Sequence, residues 1–211
     1  MSIADIRREY LGEPLDETQS DPDPFRQFSH WFEQVRPLET DPTAMALATA
    51  TGDGRPSVRM VLLKAVDARG FVFYTSYESR KAQEMAQTGR ASLLFVWRSV
   101  ERQVRIEGTV EKVSAEESDA YFAARPLESR WSASMSRQSA RVESRAALEA
   151  AYEAVRRQYG DHVPRPAWWG GYRVIPVEFE FWQGRASRLH DRVQYLKGAA
   201  DGAWIRQRLA P

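Results

Sequence analysis

The sequence predicts a mainly β protein with flanking helices, of the α+β class, whose short antiparallel strands form a small barrel or sandwich. Apolar runs of strand length, separated by tight turns, fill most of the first two-thirds of the chain. Helical patterns interrupt these runs, and no segment repeats. The 211 residues suffice for one generous domain. We divide them into an N-terminal helix and mobile linker, 1–23, and a single domain with helical insertions, 24–211.

The composition excludes several classes of protein. Hydrophobic residues make up 43% of the chain, which is enough for a full core. No run approaches the roughly 20 apolar residues of a membrane span, and the N-terminus lacks the apolar stretch of a secretory signal. The absence of cysteine excludes disulfides and thiolate chemistry. A net charge of +1 gives no global field for nucleic acid. We therefore expect a cytoplasmic protein that binds neither membrane nor nucleic acid.

The N-terminal segment and the first helix precede every strand. Residues 2–11 have the pattern of a short amphipathic helix, and residues 12–24 are rich in acidic residues, serine and proline, which predicts a mobile linker. A helix then follows Pro24, with apolar side chains at helical spacing, and ends at Pro37.

Turn residues separate the strands that follow. Gly52-Asp53-Gly54-Arg55-Pro56 and Asp67-Ala68-Arg69-Gly70 are turn signals between successive apolar runs. The predicted strands are 44–51, 57–66, 70–75, 91–98, 101–113, 172–182 and 203–209. The predicted helices are 79–88, a helix from the capping box at Ser114 through Phe122, and 143–159.

The run from Arg59 to Lys64 carries a cation at each end of an apolar strand. Strict alternation would place the two side chains on opposite faces. Both can still reach a bound anion if the strand twists or bulges. Two solvated charges at the ends of a strand are an equally good interpretation.

Arg80 and Lys81 stand in the first turn of a predicted helix, after Ser79. Cations in this position oppose the helix macrodipole, at a cost of a few tenths of a kcal/mol. A phosphate at the helix N-terminus would reverse the sign, because backbone N–H groups and both cations would then face an anion. The unfavourable position of these two cations therefore favours a phosphate ligand over a chance arrangement.

Tyr121 and Arg125 lie one helical turn apart, so they share a face. Pro126 discourages helical geometry at Arg125, and the resulting turn brings Ser129 within reach. The three side chains would form a second phosphate cradle, although tyrosine–arginine pairs at this spacing are usually surface features.

The segment from Phe181 to Arg192 combines an indole, two cations and a histidine just past an apolar strand. The mixture of Trp182, Arg188, His190 and Arg192 predicts a site for a flat, anionic ligand. Alternation at period two would put Arg188, His190 and Arg192 on one strand face.

Taken in order, these motifs closely resemble the pyridoxamine 5′-phosphate oxidase family. The resemblance runs from Arg7-Arg8-Glu9-Tyr10 to the last residue, and its order and spacing are highly specific. The other motifs that carry it are Arg59–Lys64, Tyr74-Thr75, Ser79-Arg80-Lys81, Glu101-Arg102-Gln103-Val104, Arg125-Pro126, Gln138-Ser139, Phe181-Trp182-Gln183-Gly184, Arg188-Leu189-His190-Asp191-Arg192 and Arg208-Leu209-Ala210-Pro211.

The resemblance implies an antiparallel, Greek-key-like split β-barrel that works as a homodimer with FMN bound between the subunits. The N-terminal segment would close over the active site, and C-terminal strands would serve dimerisation and the active site. No metal ion is implied. The FMN-binding positions of the family match Arg59, Met60, Val61, Leu62, Leu63, Lys64, Tyr74, Thr75, Arg80, Lys81, Gln103, Gln138, Ser139, Trp182 and Arg192.

The implied reaction oxidises pyridoxine 5′-phosphate or pyridoxamine 5′-phosphate to pyridoxal 5′-phosphate. Molecular oxygen takes the electrons and leaves as hydrogen peroxide, and the amine substrate also yields ammonia. Arg188 and His190 match the residues that act at the pyridine ring, and are the implied catalytic pair. The substrate-binding positions match Arg7, Arg8, Glu9, Tyr10, Lys64, Tyr121, Arg125, Ser129, Arg188, Leu189 and His190.

Two other functions stay open on the residues alone. A non-catalytic split-barrel protein that stores or senses flavin would share the FMN-binding residues. A nucleic-acid-binding module would combine the arginines with stacking platforms, although the near-zero net charge counts against it. Its platforms would be Trp97, Trp131, Trp168, Trp169 and Trp182.

Overall fold

The computed structural model describes residues 2–5, 8–199 and 202–211. Within these ranges, one antiparallel sheet of nine strands is accompanied by five α-helices, so the predicted α+β class is confirmed. The strands are β1 Ala44–Ala50, β2 Pro56–Leu62, β3 Ala65–Asp67, β4 Gly70–Ser76, β5 Arg90–Trp97, β6 Arg102–Lys112, β7 Trp169–Gln183, β8 Asp191–Lys197 and β9 Trp204–Arg208. The helices are α1 Pro24–Val35, α2 Arg80–Thr88, α3 Ala115–Ala124, α4 Leu127–Met135 and α5 Arg145–Tyr159. None of the helices in the described ranges is long and apolar enough to cross a bilayer.

The 15-residue strand β7 organises the sheet. One of its edges pairs with β6 along almost its whole length. The other edge is shared, because residues 169–174 pair with β4 and residues 178–183 pair with β8. The strand order is β2-β1-β5-β6-β7-β4-β3, and β9 pairs with β8. The sheet therefore divides at β7 into two arms, one with β4 and β3 and the other with β8 and β9.

A β-bulge marks the point where the partner strand changes. The register between β6 and β7 shifts between Glu107 and Gly108, and Pro176 lies opposite Gly108. Neither β4 nor β8 pairs with Pro176, so its missing N–H leaves no ladder bond unmade. A Cβ at Gly108 would overlap the Ile175 carbonyl oxygen and lie 2.8 Å from the carbonyl carbon. Glycine therefore permits the close approach of the two backbones.

Helix α1 covers the inner face of the sheet and confirms the helix predicted between Pro24 and Pro37. Asp23 caps its N-terminus through the side chain. Phe28 contacts Phe71 edge to face, with 4.9 Å between the ring centroids, and Trp31 contacts Phe181 at 5.2 Å. These contacts place the main core between α1 and the sheet.

Helices α2, α3 and α5 also begin and end close to the predicted positions. Ser79 caps α2, which ends at Gly89 in a left-handed conformation with φ +66°. Ser114 and Ser144 cap α3 and α5 by accepting hydrogen bonds from backbone N–H groups. Helix α4 is absent from the prediction. It buries no residue fully and has no side-chain cap at Pro126, so the usual sequence signals are missing.

The single strand predicted over residues 57–66 is wrong, because two strands, β2 and β3, occupy this range. At the break the chain changes partner. The Leu63 N–H donates to the Thr43 carbonyl oxygen at 2.9 Å, and the Lys64 N–H donates to the Val72 carbonyl oxygen at 2.8 Å. The apolar run is continuous in sequence, so this exchange between distant partners leaves no local signal.

The helix predicted over residues 2–11 is also wrong. The described part of this segment contains a 3-10 turn at Ile3–Asp5 and then irregular chain. Distant groups hold it, since Arg8 Nη2 and the Leu11 N–H both donate to the Glu101 carboxylate, at 2.9 and 2.7 Å. A helix of ten residues is marginal in water, so these contacts decide the conformation.

Residues 12–23 form turns without helix or strand and lie along β8 and β9. The Leu15 N–H donates to Asp191 Oδ2 at 3.1 Å, and the Tyr195 hydroxyl donates to the Asp21 carbonyl oxygen at 2.7 Å. The segment therefore follows β8 from its first residue, Asp191, towards the start of α1.

We expect Gly108→Ala to destabilise the protein, because the added methyl group would push β6 away from β7 at the bulge. Overpacking of this kind costs about 1–3 kcal/mol. Gly52→Ala is the control, since the nearest atom to its Cβ would be Gln87 Oε1 at 3.6 Å, an ordinary contact distance. Urea denaturation measures both variants, and equal midpoints would contradict the close approach at Gly108.

Candidate active site

The N-terminus of α2 gathers cations, hydroxyl groups and an amide. The Arg80 N–H donates to Ser139 Oγ at 3.2 Å, which joins the loop after α4 to the start of the helix. The Lys81 ammonium group donates to Gln138 Oε1 at 2.9 Å and to Thr75 Oγ1 at 3.2 Å. Residues that are far apart in sequence therefore meet at this helix terminus.

These residues border an open cavity of about 890 Å³ between β2, β4 and the helices α2, α3 and α4. Ligand pockets commonly measure roughly 300–1,000 Å³, so the volume suits a cofactor together with a small substrate. The predicted site residues that line the cavity are Arg59, Met60, Val61, Leu62, Lys64, Tyr74, Thr75, Arg80, Lys81, Tyr121, Arg125, Ser129, Gln138 and Ser139.

Arg59 and Lys64 both line the cavity, although alternation along one strand would separate them. Strand β2 ends between them and the chain crosses from β1 to β4, so strict alternation does not apply. Leu63 differs from its neighbours, because its side chain is 6% exposed and belongs to the main core.

Lys81 is a buried cation whose hydrogen-bond partners are the neutral side chains of Thr75 and Gln138. Burial, followed by the nearby charge of Arg59, lowers the pKa of its ammonium group from 10.5 to about 8. An anionic ligand in the cavity would find this charge uncompensated.

Arg59 and Arg80 meet at the carboxylate of Glu84, which is 2% exposed. Oε1 accepts from Arg80 Nε at 2.8 Å, and Oε2 accepts from Arg59 Nη2 at 3.2 Å. Burial by itself raises the pKa of this carboxyl group. Hydrogen bonds from Ser57, Thr49 and the two arginines outweigh burial and lower the pKa to about 2, so Glu84 stays ionised near neutral pH.

Three aromatic rings form one wall of the cavity. Tyr74 stacks on Tyr121 with 3.9 Å between the ring centroids, and on Trp169 with 5.4 Å. Burial, and then the charge of Glu117, raises the pKa of Tyr74 to about 12, and burial raises the pKa of Tyr121. Both hydroxyl groups are therefore neutral donors at physiological pH.

The Arg125 guanidinium group lies over the Trp169 ring, with Cζ 4.7 Å from the ring centroid. Its Nη1 atom is buried and makes no hydrogen bond within the part of the chain that the structure describes. Burial lowers the pKa of Arg125. A buried donor without an acceptor costs about 1–3 kcal/mol, and more when it is charged. An oxyanion beside Arg125, Ser129 and Lys64 would provide that acceptor, so these residues fit a phosphate group.

Arg173 on β7 is fully buried, at 1% exposure, and in contrast to Arg125 it pairs with three carboxylates. The distances are 2.8 Å to Asp67, 3.1 Å to Glu117 and 3.7 Å to Glu111. Glu117 lies on α3, one helical turn before Tyr121. The cluster therefore ties the helix that ends in the second predicted phosphate cradle to the central strand.

A second group of predicted residues lies near the far end of β7. Gln103 on β6, Trp182 on β7 and Arg192 on β8 are direct cross-strand neighbours. The Arg192 guanidinium group binds the Glu180 carboxylate through two nitrogens, at 2.8 and 3.0 Å. The hydrogen bond to Glu180 raises the pKa of Arg192, and this bidentate contact fixes the plane of the guanidinium group.

Arg188 and His190 lie in a turn before β8. Ser187 and Arg188 both have left-handed backbone angles, with φ +55° and +61°, which is uncommon for residues other than glycine. The prediction that Arg188, His190 and Arg192 share one strand face is therefore wrong. Two successive left-handed residues reverse the chain, and the strand begins only at Asp191.

The His190 ring contacts the rings of Trp182 and Tyr10, at centroid distances of 4.7 and 5.4 Å. Its Nδ1 accepts a hydrogen bond from the Arg185 N–H at 3.1 Å. The neutral ring therefore carries its proton on Nε2. Leu189, beside it, is 69% exposed.

The predicted N-terminal residues contribute unequally. Tyr10 contacts Trp182 edge to face at 5.6 Å, and Arg8 pairs with Glu101 at 2.9 Å. Glu9 is exposed. Arg7 lies outside the described residues.

The two groups of site residues lie at opposite ends of β7. Trp169, the first residue of the strand, lines the cavity, whereas Trp182, near its end, contacts Tyr10 and His190. A fully extended strand of 15 residues spans about 50 Å. The cavity of one chain accordingly includes neither Trp182 nor Arg192 among its lining residues.

The sequence did not lead us to assign Glu84, Trp169 or Glu180 to the flavin or substrate site. Glu84 lies on the buried face of α2 together with Met85, and a charged residue on such a face is a signal that could have identified it. Trp169 falls in a segment predicted as a loop, because β7 begins three residues before the predicted strand. Glu180 alternates with buried aromatic residues and therefore resembles an ordinary solvent-facing residue.

Two family models match the chain. One, described as pyridoxamine 5′-phosphate oxidase, matches residues 32–159. The other, described as the pyridoxine 5′-phosphate oxidase C-terminal dimerisation region, matches residues 169–211. The first match contains most of the cavity, and the second contains β7, β8 and β9.

Relatives and solved structures agree with these matches. A pyridoxine/pyridoxamine 5′-phosphate oxidase of Burkholderia cenocepacia is 55% identical over 212 residues, covering 100% of this chain and 99% of its own. PhzG from Burkholderia lata, crystallised with tetrahydrophenazine-1-carboxylic acid, is 32% identical with a TM-score of 0.89, covering 95% of this chain and 99% of that chain. A pyridoxamine 5′-phosphate oxidase-related, FMN-binding protein from Nostoc punctiforme is 18% identical with a TM-score of 0.72, covering 90% and 100%. The likeness confirms the predicted split barrel.

We expect Arg125→Met to leave the stability of the ligand-free protein unchanged, or to raise it by up to about 1 kcal/mol, because it removes a half-buried charge whose buried Nη1 atom lacks an acceptor. Arg173→Met is the matched control. It removes the cation that pairs with three carboxylates, which are 32–51% exposed, and should cost about 1.5–3 kcal/mol, the usual range for hydrogen bonds to charged groups. Urea denaturation without ligand measures the free energy of unfolding of both variants. Similar losses of stability would contradict the interpretation that Arg125 binds an anionic ligand.

Proposed function

The chain belongs to the pyridoxamine 5′-phosphate oxidase family, and we propose that it oxidises pyridoxamine 5′-phosphate or pyridoxine 5′-phosphate to pyridoxal 5′-phosphate with FMN and molecular oxygen. Hydrogen peroxide is released, together with ammonia from the amine. One observation carries the proposal. A single cavity holds cations at the N-terminus of α2 and, separately, the incompletely paired guanidinium group of Arg125. Two ligands that each bear a phosphate match this arrangement.

The first cradle suits the phosphate of FMN. Arg80 and Lys81 place two cations at a helix N-terminus, where backbone N–H groups also favour an anion. Thr75, Gln138 and Ser139 add neutral donors and acceptors within hydrogen-bond reach of these cations or of the helix N-terminus. Bound FMN supplies the hydride acceptor and the reaction with oxygen, and the chain contributes binding, orientation and electrostatics.

The second cradle suits the phosphate of the substrate. Tyr121 donates a neutral hydroxyl group, Arg125 a guanidinium group, and Ser129 and Lys64 complete a set of donors on the same cavity. The cluster around Arg173 holds α3 in place, so the donors are fixed before the substrate arrives. Positioning of this kind can lower a barrier by several kcal/mol.

A homodimer would unite the two groups of residues. The outward side chains of β2 include Val58, Met60 and Leu62, which are exposed apolar residues on the rim of the cavity. Exposed apolar patches of this kind are typical of protein interfaces. Residues 169–211 match a dimerisation region, which supports a contact between a second copy and the Trp182 group, meaning Trp182 with Arg188, His190 and Arg192. Each cavity would then receive these residues from the partner subunit.

The Trp182 group would orient the substrate ring beside the flavin. Arg188 is exposed and would screen the charge of the pyridine ring. His190 presents Nε2–H as a donor, because Nδ1 is already engaged by the Arg185 N–H. Arg192, held by Glu180, would keep a fixed positive charge at the flavin, which favours the negative charge that develops on reduction.

The alternatives fit the structure less well. A protein that merely stores flavin does not need the second cradle of Tyr121, Arg125 and Ser129. A nucleic-acid-binding module would need exposed stacking platforms, but Trp97 and Trp169 are 1% and 6% exposed.

Anaerobic reduction of the bound flavin tests the proposal. The purified protein with FMN should lose its yellow absorbance when pyridoxamine 5′-phosphate is added without oxygen, and should regain it in air. Pyridoxamine without phosphate should act poorly, because the second cradle would stay empty. Arg188→Ala should keep FMN but lose absorbance more slowly. A flavin that stays oxidised with both phosphorylated substrates would leave the storage function as the better interpretation.

We expect the affinity for FMN to fall as the pH rises through about 8. The lowered pKa of Lys81 means that its ammonium group loses a proton above this pH, so the phosphate loses an ionic partner. Linkage predicts that Kd rises by up to about tenfold per pH unit between pH 8 and the higher pKa that Lys81 has with phosphate bound. Flavin fluorescence titrations between pH 6.5 and 9.5 measure this. Lys81→Met should weaken binding at pH 7 and remove the pH dependence, and a constant wild-type Kd would contradict the assignment.

A further inference from the structure

Glu84 puts a negative charge against the cations that face the cavity. Its carboxylate accepts hydrogen bonds from Thr49 Oγ1 and Ser57 Oγ, both at 2.5 Å, and from Arg59 and Arg80. The side chain is 2% exposed. A fixed carboxylate beside a phosphate site repels the phosphate, so electrostatics alone gives no reason to place it there.

The contacts of Arg59 account for all four N–H groups of its terminal nitrogens. Nη1 donates to the Leu47 carbonyl oxygen at 3.0 Å and to Thr49 Oγ1 at 2.5 Å. Nη2 donates to Ser57 Oγ and to Glu84. The guanidinium group is therefore bound by the protein, and Nε is the nitrogen that it can still offer to a ligand.

Arg80 has the opposite arrangement. Its Nε donates to Glu84 Oε1 at 2.8 Å, and its side chain is 62% exposed on the cavity. Within the described ranges, neither of its terminal nitrogens makes a hydrogen bond to the protein. The two terminal nitrogens of a guanidinium group form the fork that binds two phosphate oxygens at once.

We propose that Glu84 is a positioning residue for the cofactor phosphate, which holds Arg80 by Nε so that its terminal nitrogens face the phosphate while Arg59 stays bound to the wall of the cavity. The proposal rests on the proposed binding of FMN. The pairing reduces the net positive charge of the cradle and in return orders a long, exposed side chain before the ligand binds. Preorganisation of this kind increases affinity when the ordering would otherwise occur on binding.

Glu84→Gln tests the proposal. A glutamine has one carbonyl oxygen, so it can accept from Arg80 or from Arg59, and its NH2 group faces the other arginine. We expect the Kd for FMN to rise at least about tenfold, since hydrogen bonds to charged groups are among the stronger ones. Titrations that follow flavin fluorescence, performed on the ligand-free full chain, measure this Kd.

Glu78→Gln is the matched control. Glu78 is exposed, precedes α2 by two residues and lines a neighbouring recess with Arg80. Its substitution removes the same charge near the phosphate without removing the hydrogen-bond acceptor of Arg80 Nε. Loss of charge alone should leave FMN affinity equal or slightly higher. We therefore expect Glu84→Gln to raise the Kd for FMN and Glu78→Gln to leave it unchanged or to lower it slightly.

Riboflavin, which lacks the phosphate, separates positioning from general damage to the fold. We expect Glu84→Gln to leave the Kd for riboflavin near that of Glu78→Gln, although it should lower the ligand-free melting temperature, because the lowered pKa of Glu84 means that its ionised form stabilises the fold. Equal weakening of FMN and riboflavin binding would show a structural role and overturn the proposal. Unchanged or tighter FMN binding in Glu84→Gln would overturn it as well.

A double-variant cycle identifies the residue through which Glu84 acts. Arg80→Lys keeps the charge but removes the Nε donor and the fork. Glu84→Gln should then cause little further loss of FMN affinity in the Arg80→Lys protein. Additive losses would contradict an action through Arg80. A wild-type protein that binds FMN no better than riboflavin would refute the proposed function itself and this inference with it, whereas strong wild-type preference with additive losses would refute the inference alone.

Discussion

The division of β7 between two partner strands determines where the functional residues lie. A strand can pair along one edge with only one neighbour at a time, so β4 and β8 must follow one another along the same edge. Pro176 and the bulge opposite Gly108 mark the change of partner. Trp169 therefore lies beside β4 and the phosphate cradles, whereas Trp182 lies beside β8. The two ends of one strand therefore carry the two groups of predicted site residues, and the proposed homodimer would bring these groups together.

Two guanidinium groups differ in whether the protein pairs them with carboxylates, and this difference distinguishes a stabilising role from a binding role. Arg173 and Arg125 lie on neighbouring elements, β7 and the end of α3; Arg173 is buried, whereas Arg125 is half-buried with its Nη1 atom withdrawn from solvent. Arg173 is surrounded by Asp67, Glu111 and Glu117, as a cation that stabilises the fold must be. Arg125 has an aromatic ring beneath it, and within the described residues no carboxylate pairs with it, so its buried Nη1 atom has no acceptor. The unfavourable burial of Arg125 makes sense when an anion completes its contacts, as expected where activity and stability compete.

Local chemistry explains which parts of the fold the sequence could predict. Helix α2 has a serine cap, a left-handed glycine and an apolar face within one segment, so its bounds and its exposed cations are readable without the rest of the chain. The break after Leu62, the extended N-terminal segment and β8 depend on partners that are distant in sequence. The Lys64 N–H pairs with Val72, and Leu11 pairs with Glu101. The left-handed backbone angle of Arg188 likewise has no sequence signal, because the residue is not a glycine. The prediction of the site residues rests on the order of their motifs, and their separation into two groups became visible only in the sheet.

The energetics of α2 argue that Arg80 and Glu84 are arranged for a ligand rather than for the helix. A cation in the first turn opposes the macrodipole. An i,i+4 ion pair with the cation nearer the N-terminus is the less favourable of the two orders. A buried carboxylate that accepts hydrogen bonds from two arginines and two hydroxyl groups also requires extensive desolvation. Helix stability explains none of these choices, and Arg80 lines the cavity. An anion at the helix N-terminus would make the cation in the first turn favourable. The same anion would bind the terminal nitrogens of Arg80, which the ion pair with Glu84 leaves exposed.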